Sequence, residues 1–161
     1  MDAYFILYEE ARKTSPPTHQ LRPEIRDESW ALHCAHIRAG RYISLSGPEP
    51  TEVFPDPSWS ETSAALDHEM RFIEENLKHP AYCVLNLCRI IYSFREREVV
   101  ISKRFGGHWA SARFPQWAPL IQAAIRSYEG TGMPGDEEFL EGKVRRFLEF
   151  AAERIREARN P

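Results

Sequence analysis

Apolar residues recur at helical spacing along most of this 161-residue chain, and one segment carries them on nearly every side. Within residues 82–94, Val84, Leu87 and Ile91 share one face of a helix, and the neighbouring face is apolar too. Pro80 suits the first turn of this helix, where a missing N–H leaves no hydrogen bond unmade. A helix that is apolar almost all round is buried, so we predict a central helix here.

A polar stripe interrupts this apolar surface. Tyr82, Asn86, Arg89 and Ser93 follow one another at steps of four, three and four residues, so they share a helix face. A guanidinium on a buried helix needs a partner, because an uncompensated buried charge costs several kcal/mol. Arg89 is therefore expected to meet either an internal carboxylate or an anionic ligand, and the sequence leaves both open.

The same periodicity predicts the other helices. Ser58 and Glu61 form a capping box, Pro119 suits the start of a later helix, and the glycines at 106 and 107 are expected to interrupt a helix. Helices are predicted over about 4–13 (or a strand over 3–8), 27–40, 58–77, 80–94, 108–114, 119–129 and 136–158, with irregular loops through Arg22-Pro23 and over 47–57. The expected fold is an all-α bundle of about five to six helices, with residues 1–26 as an N-terminal appendage and 27–161 as the main domain.

Composition limits the classes of function. The net charge of −3 argues against a general nucleic-acid binder, and no apolar run approaches the roughly 20 residues of a membrane span. Without a recognisable secretion signal at its start, the chain is expected in the cytoplasm. Cys34, Cys83 and Cys88 lie in apolar helical contexts and form no CxxC pair, so we predict buried free thiols and no metal site.

Candidate ligand chemistry is concentrated near residue 103. Ser102 is a helix cap, Lys103 and Arg104 follow it, and a glycine pair comes next. Cations beside the start of a helix can face phosphate groups, and glycine lets a ligand approach the backbone. An exposed basic turn is the alternative interpretation, and the sequence alone does not choose between them.

The order of motifs resembles the C-terminal domain of the streptomycin/spectinomycin adenylyltransferases over roughly residues 27–158. The resemblance rests on Leu45-Ser46-Gly47-Pro48 with Val53-Phe54, on Val84-Leu85-Asn86-Leu87-Cys88-Arg89-Ile90-Ile91-Tyr92, on Ser102-Lys103 with Trp109-Ala110, Arg113 and Pro115, and on Pro119-Leu120-Ile121 with Tyr128-Glu129-Gly130. In that family the domain is a helical bundle that closes over an N-terminal nucleotidyltransferase domain. ATP and the aminoglycoside bind in the cleft between the two domains.

The resemblance implies roles for individual residues. Lys103 is similar to the family lysine that reaches the ATP phosphates, Tyr128 to the tyrosine near the nucleotide, and Arg89 to the arginine of the central helix. These three are the candidate nucleotide-binding residues. The candidate pocket-lining residues are Asn86, Tyr82, Tyr92 and Trp109.

The chain departs from the family pattern in two respects. The family carries carboxylates near the start of the central helix, suited to polycationic aminoglycosides, whereas this sequence has Lys78-His79-Pro80-Ala81. Metal-dependent nucleotidyl transfer also needs a Gly-Ser turn and an Asp-x-Asp pair on a strand, and neither occurs. The nearest spacing, Asp67-His68-Glu69, falls on the outer face of a predicted amphipathic helix. We therefore predict no catalytic residues on this chain.

Two functional hypotheses follow. The first is the substrate- and nucleotide-binding half of an aminoglycoside-adenylyltransferase-like protein, completed by a separate nucleotidyltransferase domain. Under the first hypothesis, ATP and Mg²⁺ bind only with that domain, and antibiotic resistance is the role of the family. The second is a stand-alone bundle that binds a small molecule or a protein and has lost the transferase role. Neither predicts an oligomeric state.

Overall fold

The computed structural model describes residues 5–160, whose contacts form two units, one ending at Glu69 and the other beginning at Met70. In chain order the elements are α1 (Tyr8–Ala11), β1 (Thr18–His19), β2 (Arg22–Arg26), α2 (Trp30–Arg38), α3 (Pro50–Val53), α4 (Trp59–Glu75), α5 (Pro80–Glu96), α6 (Lys103–Arg113), a 3₁₀ turn (Pro115–Trp117), α7 (Ala118–Tyr128) and α8 (Asp136–Arg159). Within the described range, six helices have nine or more residues. The predicted mainly helical fold is confirmed.

Helix α5 is the centre of the second unit, as predicted. Val84, Leu85, Leu87 and Cys88 are fully buried, and Pro80 occupies the first turn. The helix packs against α6, α7 and α8, so three other helices cover its apolar circumference. Burying each large apolar side chain stabilises the fold by about 1.5–3 kcal/mol, which makes α5 the main contributor to this core.

Two predicted caps are confirmed. The Ser58 N–H donates to Glu61 Oε2 at 2.8 Å, and the Glu61 N–H donates to Ser58 Oγ at 3.3 Å, which completes the capping box. At the start of α6, the Phe105 N–H donates to Ser102 Oγ at 3.0 Å. The second cap fixes the position at which Lys103 enters the helix.

The prediction that Gly106 and Gly107 interrupt a helix is wrong, because α6 runs through both. A Cβ on Gly106 would lie 3.1 Å from Arg89 Cγ and 3.2 Å from the Arg89 backbone nitrogen. A Cβ on Gly107 would lie 3.1 Å from side-chain carbons of Leu85 and Ile125. Both glycines are therefore packing residues that let α6 approach α5 closely.

The first unit departs from the sequence-based expectation in its loops. The segment predicted as a loop through Arg22-Pro23 contains the antiparallel pair β1–β2, and the proline-rich loop contains the four-residue helix α3. The predicted first helix is reduced to α1 within the described range, and residues 1–4 lie outside it. Trp30 anchors this unit, since its Nε1–H donates to the Lys13 carbonyl at 2.9 Å and its ring packs on Phe54.

A bidentate ion pair joins α7 to α8. Arg126 Nε and Nη2 donate to the two carboxylate oxygens of Asp136 at 2.9 and 2.6 Å. The Met133 N–H also donates to Asp136, at 2.9 Å. The Arg126 guanidinium, followed by the Met133 hydrogen bond, lowers the pKa of the Asp136 carboxyl below its ordinary value.

Substitutions at two helical glycines, Gly142 and Gly106, are expected to change the free energy of unfolding in opposite directions. Gly142→Ala, at an exposed position of α8 with open space around it, should raise the unfolding free energy by about 0.8–1.0 kcal/mol, the difference in helix propensity. Gly106→Val should lower it by about 1–3 kcal/mol, because the added atoms meet the Arg89 backbone. Urea denaturation of both variants measures these changes. A Gly106→Val protein as stable as wild type would contradict close α5–α6 packing.

The ion pair predicts a pH dependence of stability. Since the folded-state pKa of Asp136 is lowered, its contribution is present above the unfolded pKa, about 3.9, and is lost as the pH falls through the folded value. Asp136→Asn should therefore lower the melting temperature at pH 7, and the difference from wild type should shrink as the pH falls below about 4. Glu138→Gln, which removes a neighbouring carboxylate outside this ion pair, is the matched control. A constant Asp136→Asn deficit between pH 7 and pH 2 would contradict this account.

Candidate functional site

The polar stripe of α5 forms a connected network. Asn86 is only 4% exposed, and its amide Nδ2 donates to the Tyr82 carbonyl at 3.0 Å. Its Oδ1 accepts from Arg89 Nη1 at 3.3 Å. The buried amide is thus hydrogen-bonded at both ends, as buried polar groups generally are.

Lys103 lies beside two tyrosine rings. Its Nζ is 4.3 Å from the ring centroid of Tyr82 on α5 and 5.7 Å from that of Tyr128 at the end of α7. Both rings are partly open to solvent, at 36% and 59% exposure. These three residues, called the Lys103 cluster below, bring together a cation and aromatic faces from three helices, and cation–π attraction stabilises the arrangement.

Arg89 belongs to the same region through α6. Gly106 lies directly over the Arg89 stem, so the close approach of the two helices depends on the absence of a side chain at 106. The structure thereby places Arg89 and Lys103 on adjoining helices within one packed interface. The two cations enter from α5 and from the first residue of α6, respectively.

Two predicted pocket residues lie in an aromatic cluster. The Tyr92 ring meets Phe105 and Trp109 edge-on, with centroids 5.4 and 5.2 Å apart, and Trp109 in turn meets Phe114 at 5.9 Å. Edge-to-face pairs at these distances stabilise packing. Neither Tyr92 nor Trp109 is among the residues that line the cavity described below.

Arg104 has a different environment from Lys103. Its Nε lies 3.1 Å from Glu129 Oε1, and the side chain is largely exposed. An exposed pair of this kind contributes little to stability. Arg104 is therefore an exposed, ion-paired residue of α6, whereas Lys103 lies beside the tyrosine rings.

A cavity of about 400 Å³ adjoins the Lys103 cluster through Tyr82. Its walls come from the start of α5, the end of α7 and the start of α8, and are formed by Lys78, His79, Pro80, Ala81, Tyr82, Ser127, Gly132, Met133, Asp136, Glu137 and Leu140. Of the four residues predicted to line a pocket, Tyr82 lies on the wall of this cavity, whereas Asn86, Tyr92 and Trp109 do not. No sequence motif marks the other wall residues, because they meet only when the linker over residues 132–135 brings the start of α8 beside the start of α5.

The described part of the chain offers few side chains suited to metal binding or nucleophilic catalysis. Among residues 5–160, no three His, Cys, Asp or Glu side chains are grouped as a metal site. The predicted buried free thiols are confirmed, and burial raises the pKa of Cys34 to about 12, which suppresses the thiolate. Of the Asp67-His68-Glu69 run, Glu69 accepts a hydrogen bond from Ser29 Oγ.

No helix in the described range is both long and apolar enough to cross a membrane. A comparison with curated proteins gave no match. Residues 52–154, well over half of the chain, match a family model described as the aminoglycoside adenylyltransferase C-terminal domain. The chain therefore belongs to the family of aminoglycoside adenylyltransferase C-terminal domains.

Proposed function

We propose that this chain is the nucleotide- and substrate-binding half of an adenylyltransferase-like protein, and that the Lys103 cluster is its phosphate-binding element. The observation that carries the proposal is the position of Lys103 Nζ against Tyr82 and Tyr128 at the start of α6. Membership of the family supports the same assignment.

The chemistry of the cluster suits a nucleotide. An ammonium group attracts a polyphosphate, and the adjoining N-terminus of α6 adds a favourable dipole for negative charge. The half-exposed Tyr128 ring offers a face on which a base can stack. Arg89 lies on the neighbouring helix α5, where its Nη1 donates to Asn86 Oδ1 of the same helix. It adds positive charge to the α5–α6 interface.

Adenylyl transfer itself needs carboxylates that hold metal ions, and we propose that another domain provides them. Two-metal transfer depends on carboxylates that hold Mg²⁺, and the described residues contain no such group. We infer that ATP and Mg²⁺ are bound productively only when a separate nucleotidyltransferase domain supplies the metal ligands. Mg²⁺ would supply charge neutralisation at the phosphates there, while Lys103 of this chain would orient them.

The cavity beside Tyr82 favours a second candidate function, a small-molecule site that works without the transferase partner. Its volume of about 400 Å³ is within the range of ligand pockets. Met133, Leu140 and Pro80 give it apolar walls, and Lys78 and Glu137 give it charges of both signs. This composition suits an amphipathic molecule of low net charge.

Loss of the Lys103 ammonium should weaken nucleotide binding. In calorimetric titrations with Mg-ATP, Lys103→Ala is expected to raise the Kd roughly tenfold or more, since a charge-assisted contact contributes about 1.5–3 kcal/mol. Arg104→Ala, which removes the same charge one residue away, should stay within about twofold, because Arg104 is directed to Glu129.

The same titrations identify which group of the ligand is recognised. Lys103→Ala should change the Kd for adenosine little. It should raise the Kd for tripolyphosphate as strongly as the Kd for ATP. Equal ATP affinity in wild type and Lys103→Ala would contradict a phosphate role for the cluster.

Ala81→Trp separates the two candidate functions. The added indole should fill the cavity, because Ala81 lies on its wall, and should abolish binding of any compound seated there while ATP binding at Lys103 persists. Small amphipathic molecules of low net charge are the probes, with the cationic streptomycin and spectinomycin for comparison. Their binding is followed by ligand-observed NMR in wild type, Ala81→Trp and Lys103→Ala. Binding that is lost in Lys103→Ala but kept in Ala81→Trp would rule out the cavity as the site.

A further inference from the structure

Residues 42–46 combine exposure with an apolar alternation. Ile43 and Leu45 are 89% and 95% exposed, more than any other large apolar side chain in the described part of the chain. The segment Tyr42-Ile43-Ser44-Leu45-Ser46 belongs to no helix or strand. Alternating apolar and polar residues with a β-branched member are typical of a strand with one buried face.

The backbone of this segment is also unpaired. Within the described residues, no hydrogen bond reaches the N–H or C=O groups of Ile43, Ser44 or Leu45. A short segment with open backbone groups and exposed apolar side chains is a template for pairing with another chain. The segment is held at its edges, because the Tyr42 hydroxyl donates to Glu49 and Arg38 donates to the Thr51 carbonyl.

We propose that residues 42–46 pair antiparallel with the same residues of a second copy, about a two-fold axis at Ser44. In this register Ile43 of one copy lies opposite Leu45 of the other, so all four apolar side chains share one face. The two Ser44 residues face each other on the opposite side. The segment is therefore self-complementary, as an isologous interface requires.

The charges on either side of residues 42–46 support a second copy as the partner and an antiparallel direction of pairing. Arg41 precedes the segment, and Glu49 and Glu52 follow it, all three being exposed. Antiparallel pairing brings the basic end of one segment towards the acidic end of the other, whereas parallel pairing would bring like charges together. A second copy supplies the complementary charges as well as the apolar partners.

The pairing should be weak, because two five-residue strands bury less area than a stable dimer needs. Sedimentation velocity over a concentration series is therefore the first test. Wild type should shift from monomer towards dimer as concentration rises, and Ile43→Asp should weaken this association at least tenfold without changing the circular dichroism spectrum. Leu21→Asp, at another exposed apolar site with 68% exposure, is the matched control and should associate as wild type does.

Cysteine cross-linking tests the register. The two Ser44 Cα atoms would be about 4.5–5.5 Å apart, within the range of a disulfide, so Ser44→Cys should form a covalent dimer under mild oxidation. The two Ser46 Cα atoms would be about 14 Å apart, so Ser46→Cys should remain uncross-linked. The native thiols are buried and do not compete.

Each result bears on the proposal directly. A monomer at every concentration, or pairing only with the sheet edge of another protein, would overturn it. So would a dimer that persists in Ile43→Asp, or equally fast cross-linking of Ser46→Cys and Ser44→Cys.

Discussion

The burial of α5 is the constraint on which the second unit depends. A helix with apolar side chains on nearly every side must be covered all round, and α6, α7 and α8 supply that cover. Close packing then requires small residues where two axes approach. Gly106 and Gly107 meet that requirement, and they set the path of α6 from its first residue, Lys103.

The candidate site is formed by side chains of these packed helices and not by a separate loop. Tyr82, Asn86 and Arg89 lie on the one stripe of α5 that carries polar groups, and the buried amide of Asn86 is satisfied along its own helix. Rigid helices hold a side chain more precisely than loops do, because the backbone has fewer alternatives. Lys103 and Tyr128 sit at helix ends, where side chains reach solvent, so the arrangement joins a fixed interior with an open face.

The sequence predicted features that depend on local chemistry. Pro80, the Ser58–Glu61 capping box and the apolar periodicity of α5 each act within a few residues, so their pattern was sufficient. Prediction from the sequence failed for features that depend on contacts between residues far apart in the chain. Whether Gly106 breaks a helix or packs against one depends on Arg89, seventeen positions away, and the cavity depends on how the 132–135 linker returns α8 to α5. The strand pair at 18–26 was missed because pairing overrides the weak strand propensity of a five-residue segment that contains proline.

The charges around the cavity bear on which acceptor a complete enzyme of this kind would use. Recognition of a polycation needs carboxylates whose charge is not already balanced. Asp136 lies on the wall of this cavity but accepts from two guanidinium nitrogens of Arg126, and Lys78 and His79 lie just before the start of α5. Glu137 is left as the carboxylate of the cavity wall outside that ion pair. The phosphate binding that we propose at Lys103 does not depend on this balance, so the proposal is compatible with a different acceptor.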